Sequence, residues 1–163
     1  MQAENPLWTF SLVVYAEAGV QDECLALQER LALDVNLLLL CAYAGVRGVT
    51  FSDNDVGAAA GVVAGWHGDV VRPLRAARRA LKSIARENAA TLRTEVKMAE
   101  LKAEQIEQAM LWAWWRERPT GAAADPQAAL TANMQRLFGH HGAKGIDPAQ
   151  AAPNLLRAAL RHA

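Results

Sequence analysis

The sequence predicts an all-α fold, a compact bundle of about six or seven helices. Three observations carry that reading. From Leu74 to Arg118 the chain has neither glycine nor proline, the two residues that most disfavour helix interiors. The segment Val35–Ala44 is apolar on every side, through Val35, Leu37, Leu38, Leu39, Leu40, Cys41, Ala42 and Tyr43, as the central helix of a bundle must be. No strand-like alternation of apolar and polar residues runs beyond a few positions.

Asn5–Pro6 opens the first helix, since Asn accepts from the orphan amides and Pro is tolerated at the first helical position. Leu7, Trp8, Phe10, Val13, Val14 and Tyr15 give it a broad apolar face, and Gly19 ends it. A second helix runs from Val20 to Leu33 with Leu25, Leu27 and Leu31 inward. Asp34 then caps the central helix, whose four consecutive leucines contribute on the order of 6–12 kcal/mol on burial, before entropy is subtracted. Ser52, Asp53, Asn54 and Asp55 form a helix-start signature leading to Gly57, Gly61 and Gly65, spaced so that on a helix another helix can approach closely, the alternative being a loose Gly/Ala loop. Gly68–Asp69 restarts the chain into a helix from Val70 to Glu87, with Pro73 in its first turn and Val71, Leu74, Ala77, Leu81 and Ile84 inward. One helix from there to Arg118 would be about 70 Å long, too long for such a domain, so a break falls near Asn88–Thr91 with Thr91 as the next cap. Leu92, Val96, Ala99, Ala103, Ile106, Met110 and Ala113 then form a coiled-coil-like seam. Pro119–Thr120–Gly121 ends that helix, GAAADPQ is a linker, and Pro126–Phe138 forms a further helix. Asp147–Pro148 opens the last one, which Pro153 interrupts. Residues 1–118 are read as the helical core domain and 119–163 as an Ala-rich helical extension, packed on the core or partly mobile.

The 163 residues, 52% hydrophobic and 21% charged, suffice to bury a core without a disulfide or metal staple. Lys+Arg and Asp+Glu balance at 17 each, so only local charge segregation offers attraction to nucleic acid or lipid. Cys24 and Cys41 sit in apolar helical surroundings, as small buried hydrophobes. MQAENPLW has no basic stretch followed by a hydrophobic run, and the apolar run Val35–Val46 is too short to span a bilayer. A reduced, cytoplasmic protein with no membrane span is expected.

The N-terminal half resembles an uncharacterised family of small proteobacterial proteins known only as a domain of unknown function. The resemblance rests on Asn5-Pro6-Leu7-Trp8, Gly19-Val20, Cys24-Leu25 with Leu27-Gln28, and Asp34-Val35-Asn36-Leu37-Leu38-Leu39. It implies a bacterial, cytoplasmic setting; no activity or ligand residue comes with it.

Four groups of residues are candidates for function. Arg72, Arg75, Arg79, Lys82 and Arg86 share one helix face, with Arg78 alongside. Such a face binds phosphates or an acidic partner, and five DNA phosphate contacts would give a log–log salt slope of about −4.5. It lacks interleaved aromatics for base stacking, and a helix face partly paired with the next helix's glutamates explains it better. Glu100, Glu104 and Glu107 line up as an acidic face, read as solvated or salt-bridged because no Glu-x-x-His motif accompanies them. Trp112, Trp114 and Trp115, with Met110 and Leu111, cover the whole circumference of a helix end, so part of that surface faces the C-terminal segment, a second subunit or a protein partner, and internal packing and intermolecular contact both stay open. Asp34, Asn36, Asp53, Asp55, Trp66, His67 and Asp69 are candidates for a polar pocket. Helix capping accounts for Asp53, Asp55 and Asp69, and their spacing with His67 matches no metal motif. No Cys-x-x-Cys, Gly-x-Ser-x-Gly or phosphate-binding Gly-Lys-Ser/Thr loop is present, which weighs against an enzyme; no catalytic residue, metal or cofactor is expected. The leading expectation is a non-enzymatic, self-associating or adaptor module acting through the 92–115 helix. The alternatives are a small-molecule- or metal-binding domain around Asp53, His67 and Asp69, and nucleic-acid binding through the 72–86 basic helix.

Overall fold

The structure is a computed structural model that describes residues 4–118 and 123–163; the expected stop at Pro119–Thr120–Gly121 lies outside the described residues. The described residues contain helices and no strand. In chain order they are α1 (Pro6–Tyr15), α2 (Val20–Leu31), α3 (Val35–Val46), α4 (Asp53–Trp66), a π-helical turn (His67–Val71), α5 (Arg72–Leu81), α6 (Ala89–Arg116), α7 (Pro126–His140), the single turn α8 (Pro148–Ala151) and α9 (Pro153–Arg161).

The starts follow local chemistry. Asn5 accepts from the Trp8 amide, Asp34 from Asn36, Asp125 from Ala128 and Asp147 from Ala149. Ser52 and Asp55 form a reciprocal capping box at α4. Every residue of α3 from Asn36 to Val46 is buried, and α3 packs on α1, α2, α6, α7 and α9. One apolar cluster joins Leu7, Phe10 and Val14 of α1 with Leu27, the α3 leucines, Val56, Leu111, Leu130, Met134, Phe138 and Leu155. Helices α3 and α7 meet closely because Gly45 has no side chain: a Cβ there would lie 2.4 Å from the Leu130 Cα.

Several local expectations are corrected. Gly57, Gly61 and Gly65 meet no neighbour, since a Cβ at any of them would find nothing within 4 Å; α4 turns that face away from the bundle. The chain does not restart at Gly68–Asp69. The helix continues from α4 into α5 through the π-turn, where the Arg72 amide donates back to the His67 carbonyl. Pro73 cannot donate and its ring crowds the carbonyl four residues earlier in a regular helix; the wider turn relieves that crowding. Helix α5 stops at Leu81 instead of Glu87, and Ala77 and Ile84 are exposed. The cap before α6 is Asn88, in the left-handed region at φ 65°, rather than Thr91. The apolar seam is only in part the inward face of α6: of its members Leu92 and Ala99 are exposed and only Ala103 is buried, whereas Glu100, Glu107 and Gln108 are buried beside it. The acidic row turns inward because α5 brings arginines and the π-turn brings an imidazole to meet it.

Candidate functional site

Three backbone elements converge on one buried polar cluster. Asp34 is the cap of α3, His67 opens the π-turn, and Glu107 lies in the middle of α6. His67 Nδ1 lies 2.9 Å from Glu107 Oε1 and 3.5 Å from Asp34 Oδ2. Each carboxylate is held by its other oxygen. The Asn36 amide donates to Asp34 Oδ1 at 2.8 Å, and Asn36 Nδ2 donates to Glu107 Oε2 at 2.6 Å. Gln108 Nε2 in turn donates to Asn36 Oδ1 at 2.9 Å. Trp66 fixes the residue before the histidine, its Nε1 donating to the Ala103 carbonyl at 2.9 Å.

Two carboxylates facing one imidazole out of water repel each other. Burial first, and then the charge of Glu107, push the Asp34 carboxyl up to about 7. Burial alone would lower His67, but its hydrogen bond with Glu107 and the fields of Asp34 and Glu107 outweigh that and raise the imidazole above its ordinary value. Both shifts favour the protonated forms of Asp34 and His67 over those of freely exposed groups.

Beside the cluster lies a cleft of about 430 Å³ between α1, α2, α3, α5 and α6, in the size range of small-molecule sites. Its apolar walls include Trp8, Leu12, Tyr15, Leu25, Leu39 and Leu101. Arg75, Arg78, Arg79, Arg93 and Lys97 line it against only two carboxylates, Glu100 and Glu104. Arg75 donates to Glu100 (3.1 Å), Glu104 (2.7 Å) and Gln28 (2.6 Å), and Arg78 is hydrogen-bonded to Glu100. Ser11, Asn36 and Gln108 supply buried polar atoms to the cleft, so Asn36 and Gln108 connect it with the His67 cluster. The Ser11 hydroxyl, Gln108 Oε1 and Arg93 Nε are buried without a hydrogen-bond partner.

Of the residues expected to form a polar pocket, Asp34, Asn36 and His67 come together, with Trp66 adjoining. Asp53 and Asp55 lie at the opposite end of the 14-residue helix α4, about 20 Å away along its axis. Asp55 pairs with Arg118 at 2.6 Å, while Asp53 and Asp69 are exposed. On the basic face, Arg75 is drawn into the cleft and Arg79 lies 3.7 Å from Glu29, whereas Arg72, Lys82 and Arg86 are exposed. Trp112 and Trp115 meet Tyr43 edge-on at 5.9 and 6.0 Å, and Trp114 meets Phe51 at 5.9 Å with Arg118 over its ring. All three Trp side chains are partly buried against the core. Burial pushes both the Cys24 and Cys41 thiols up to about 12, which keeps them protonated and unreactive. The sequence reading missed Glu107, Gln108, Ser11 and Arg93 as members of the site. Only Glu107 left a trace, as the last member of the acidic row.

The fold and these side chains define a small all-α domain with a buried histidine–carboxylate cluster joined to a basic, apolar-walled cleft. Residues 6–111, which span α1 to most of α6, match the family described as "Protein of unknown function (DUF2390)", and the chain belongs to that family. The likeness in Asp34–Leu39 thus lies within the matched region. Comparison with curated proteins and with solved structures returned no match.

Proposed function

We propose that this chain is a small-molecule-binding helical domain, and that its ligand is a small amphipathic anion held in the cleft between α1, α2, α3, α5 and α6. One observation carries the reading. Ser11 and Gln108 are 3% and 1% exposed, both line the same cleft, and each keeps a polar atom without a partner. Leaving such an atom unsatisfied costs about 1–3 kcal/mol, a cost that a ligand reaching the cleft floor would remove. The cations Arg93 and Lys97, beyond the paired Arg75, Arg78 and Arg79, support an anionic head, and the Trp8, Leu12, Leu25 and Leu39 walls support an apolar body. The bacterial cytoplasm fits two buried, reduced cysteines.

Calorimetric titration of the untagged protein with octanoate and with octyl phosphate tests this. Saturable binding is expected, weakened about tenfold or more in Arg93→Met and in Leu25→Trp, with far-UV circular dichroism unchanged. Absence of binding by both anions up to about 1 mM, or equal binding by the wild type and both variants, overturns it.

Self-association through α6 is the second reading, favoured by the exposed Leu92, Met98 and Leu101 with Ile84 in the preceding turn. The Trp residues themselves are engaged with Tyr43 and Phe51. Native mass spectrometry separates the two readings: a dimer without added mass supports self-association, and a monomer carrying a small adduct supports the cleft. The pairing of Arg75 and Arg78 with Glu100 leaves less free positive charge for nucleic acid than the basic stripe alone suggests.

A further inference from the structure

We propose that Asp34, His67 and Glu107 bind a first-row divalent cation, with Mn²⁺, Fe²⁺ and Zn²⁺ the ions of matching chemistry. The three ligands proposed are other residues than Ser11 and Gln108, which carry the cleft reading, although Gln108 touches both sites through Asn36. Its donors are one imidazole nitrogen and two carboxylate oxygens, all within 4.8 Å of one another. Donor atoms bound about 2.1 Å from one ion stand about 3.0 Å apart in octahedral and about 3.4 Å apart in tetrahedral geometry. The 2.9 Å and 3.5 Å separations from His67 Nδ1 to the two carboxylates are such edges.

Three further features support a cation. Asp34 is only 9% exposed, yet its Oδ2, aimed at the cluster, accepts no hydrogen bond. Each carboxylate is anchored by one oxygen through Asn36, to its amide or its side chain, and this leaves the other oxygen directed at His67. Such outer partners orient ligands in metal sites, and Gln108 fixes Asn36 in turn. Finally, two carboxylates face a single imidazole, and a dication neutralises them where a proton does so only in part. An imidazole with only three protein donors suits Mn²⁺, Fe²⁺ or Zn²⁺ better than Ca²⁺, which takes six to eight oxygens, roughly. The His67 side chain retains 18% exposure, so the imidazole side of the cluster reaches solvent.

The test is metal titration of the full chain after chelator treatment, using Co²⁺ absorption, Mn²⁺ and Zn²⁺ calorimetry, and Zn²⁺ displacement of Co²⁺. One equivalent of ion per chain is expected. Asp34→Asn keeps the capping oxygen, and His67→Gln changes a partly exposed side chain, so both variants should retain the wild-type circular dichroism spectrum. Each is expected to lose about 100-fold or more in affinity. Failure of all three ions to bind at concentrations to about 1 mM overturns the proposal, as does one-equivalent binding that survives both substitutions. Anion binding to the cleft is measured separately after chelation, so the two readings fail independently.

Discussion

Arg75→Met is the substitution that best tests how the cleft is held together. Arg75 joins three helices, donating from Nε to Glu100, from Nη2 to Glu104 and from Nη1 to Gln28. Its side chain is 13% exposed, that of Glu100 is 7% and that of Glu104 is 26%. Removing one partner of a buried ion pair costs about 3–5 kcal/mol. Arg78 still holds Glu100, and Glu104 keeps some contact with water, so the expected loss lies at the lower end, about 3 kcal/mol. At about 2–4 °C per kcal/mol for a chain of this size, the midpoint should fall by about 6–12 °C. Urea unfolding and scanning calorimetry measure it, with Arg79→Met as the comparator. Arg79 and Glu29 are mostly exposed and 3.7 Å apart, so that change should stay within about 0.5 kcal/mol. The pH dependence adds a second check. Burial raises the Glu104 carboxyl and Arg75 opposes it, so without Arg75 it rises further. A carboxyl raised above its unfolded value destabilises the fold when ionised, and that penalty disappears as pH falls through its folded pKa. The deficit of Arg75→Met relative to wild type should therefore narrow as pH falls from neutrality into the carboxyl range. A loss below about 1 kcal/mol, or a deficit that does not narrow, would refute the claim that this network is buried and coupled.

Three other substitutions probe the scaffold. Asn133 is fully buried, accepts from the Phe51 amide at 2.7 Å and donates to the Val49 and Cys41 carbonyls at 2.8 and 3.2 Å. Asn133→Ala strands those groups and should cost about 3 kcal/mol in denaturant unfolding; a loss under about 1 kcal/mol would mean that the 47–52 loop is held by other contacts. Gly45→Ala drives a Cβ against the Leu130 backbone, and should cost at least about 3 kcal/mol or abolish soluble expression, whereas a thermal midpoint like wild type would show that α3 and α7 can separate freely. Gly61→Ala meets open space and should stabilise α4 by about 1 kcal/mol, so a lowered midpoint would reveal that this face is covered.

The legible parts of the fold were those that local chemistry decides. Asn5–Pro6, Asp34 and Ser52–Asp55 announce helix starts because a side-chain oxygen must meet an orphan amide, whatever the tertiary context. The all-round apolar α3 announces its own burial. The inward face of α6 was not legible from its period. The apolar series and the acidic series both recur at three and four, and only the neighbour decides between them. Arg75, Arg78 and His67 are that neighbour, and their approach depends on how α5 is phased against α4. The site was half legible for the same reason: Asp34, Asn36 and His67 stood out as polar residues at helix ends, whereas Glu107 and Gln108 are mid-helix and gain meaning only from a partner about 40 and 72 positions away in sequence.

The phasing of α5 against α4 has a cause in the chain itself. Val63, His67, Val71 and Arg75 follow one another at intervals of four, and each such interval drifts about 40° around a regular helix of 3.6 residues per turn. Over three intervals the series would wander about 120°, and Val63 and Arg75 would face different neighbours. Val63 and Val71 are nevertheless both buried, while His67 and Arg75 both reach glutamates of α6. The π-turn from His67 to Val71 winds more loosely and takes up that drift. It also gives Pro73 a position where its missing amide and bulky ring do not break the helix. A residue that reads as the start of a new helix is thus accommodated by the turn that keeps an old one going. The same turn delivers His67 to one carboxylate pair and, two helical turns later, Arg75 to another. Cluster and cleft lie side by side because one continuous helix, loosened once, serves both.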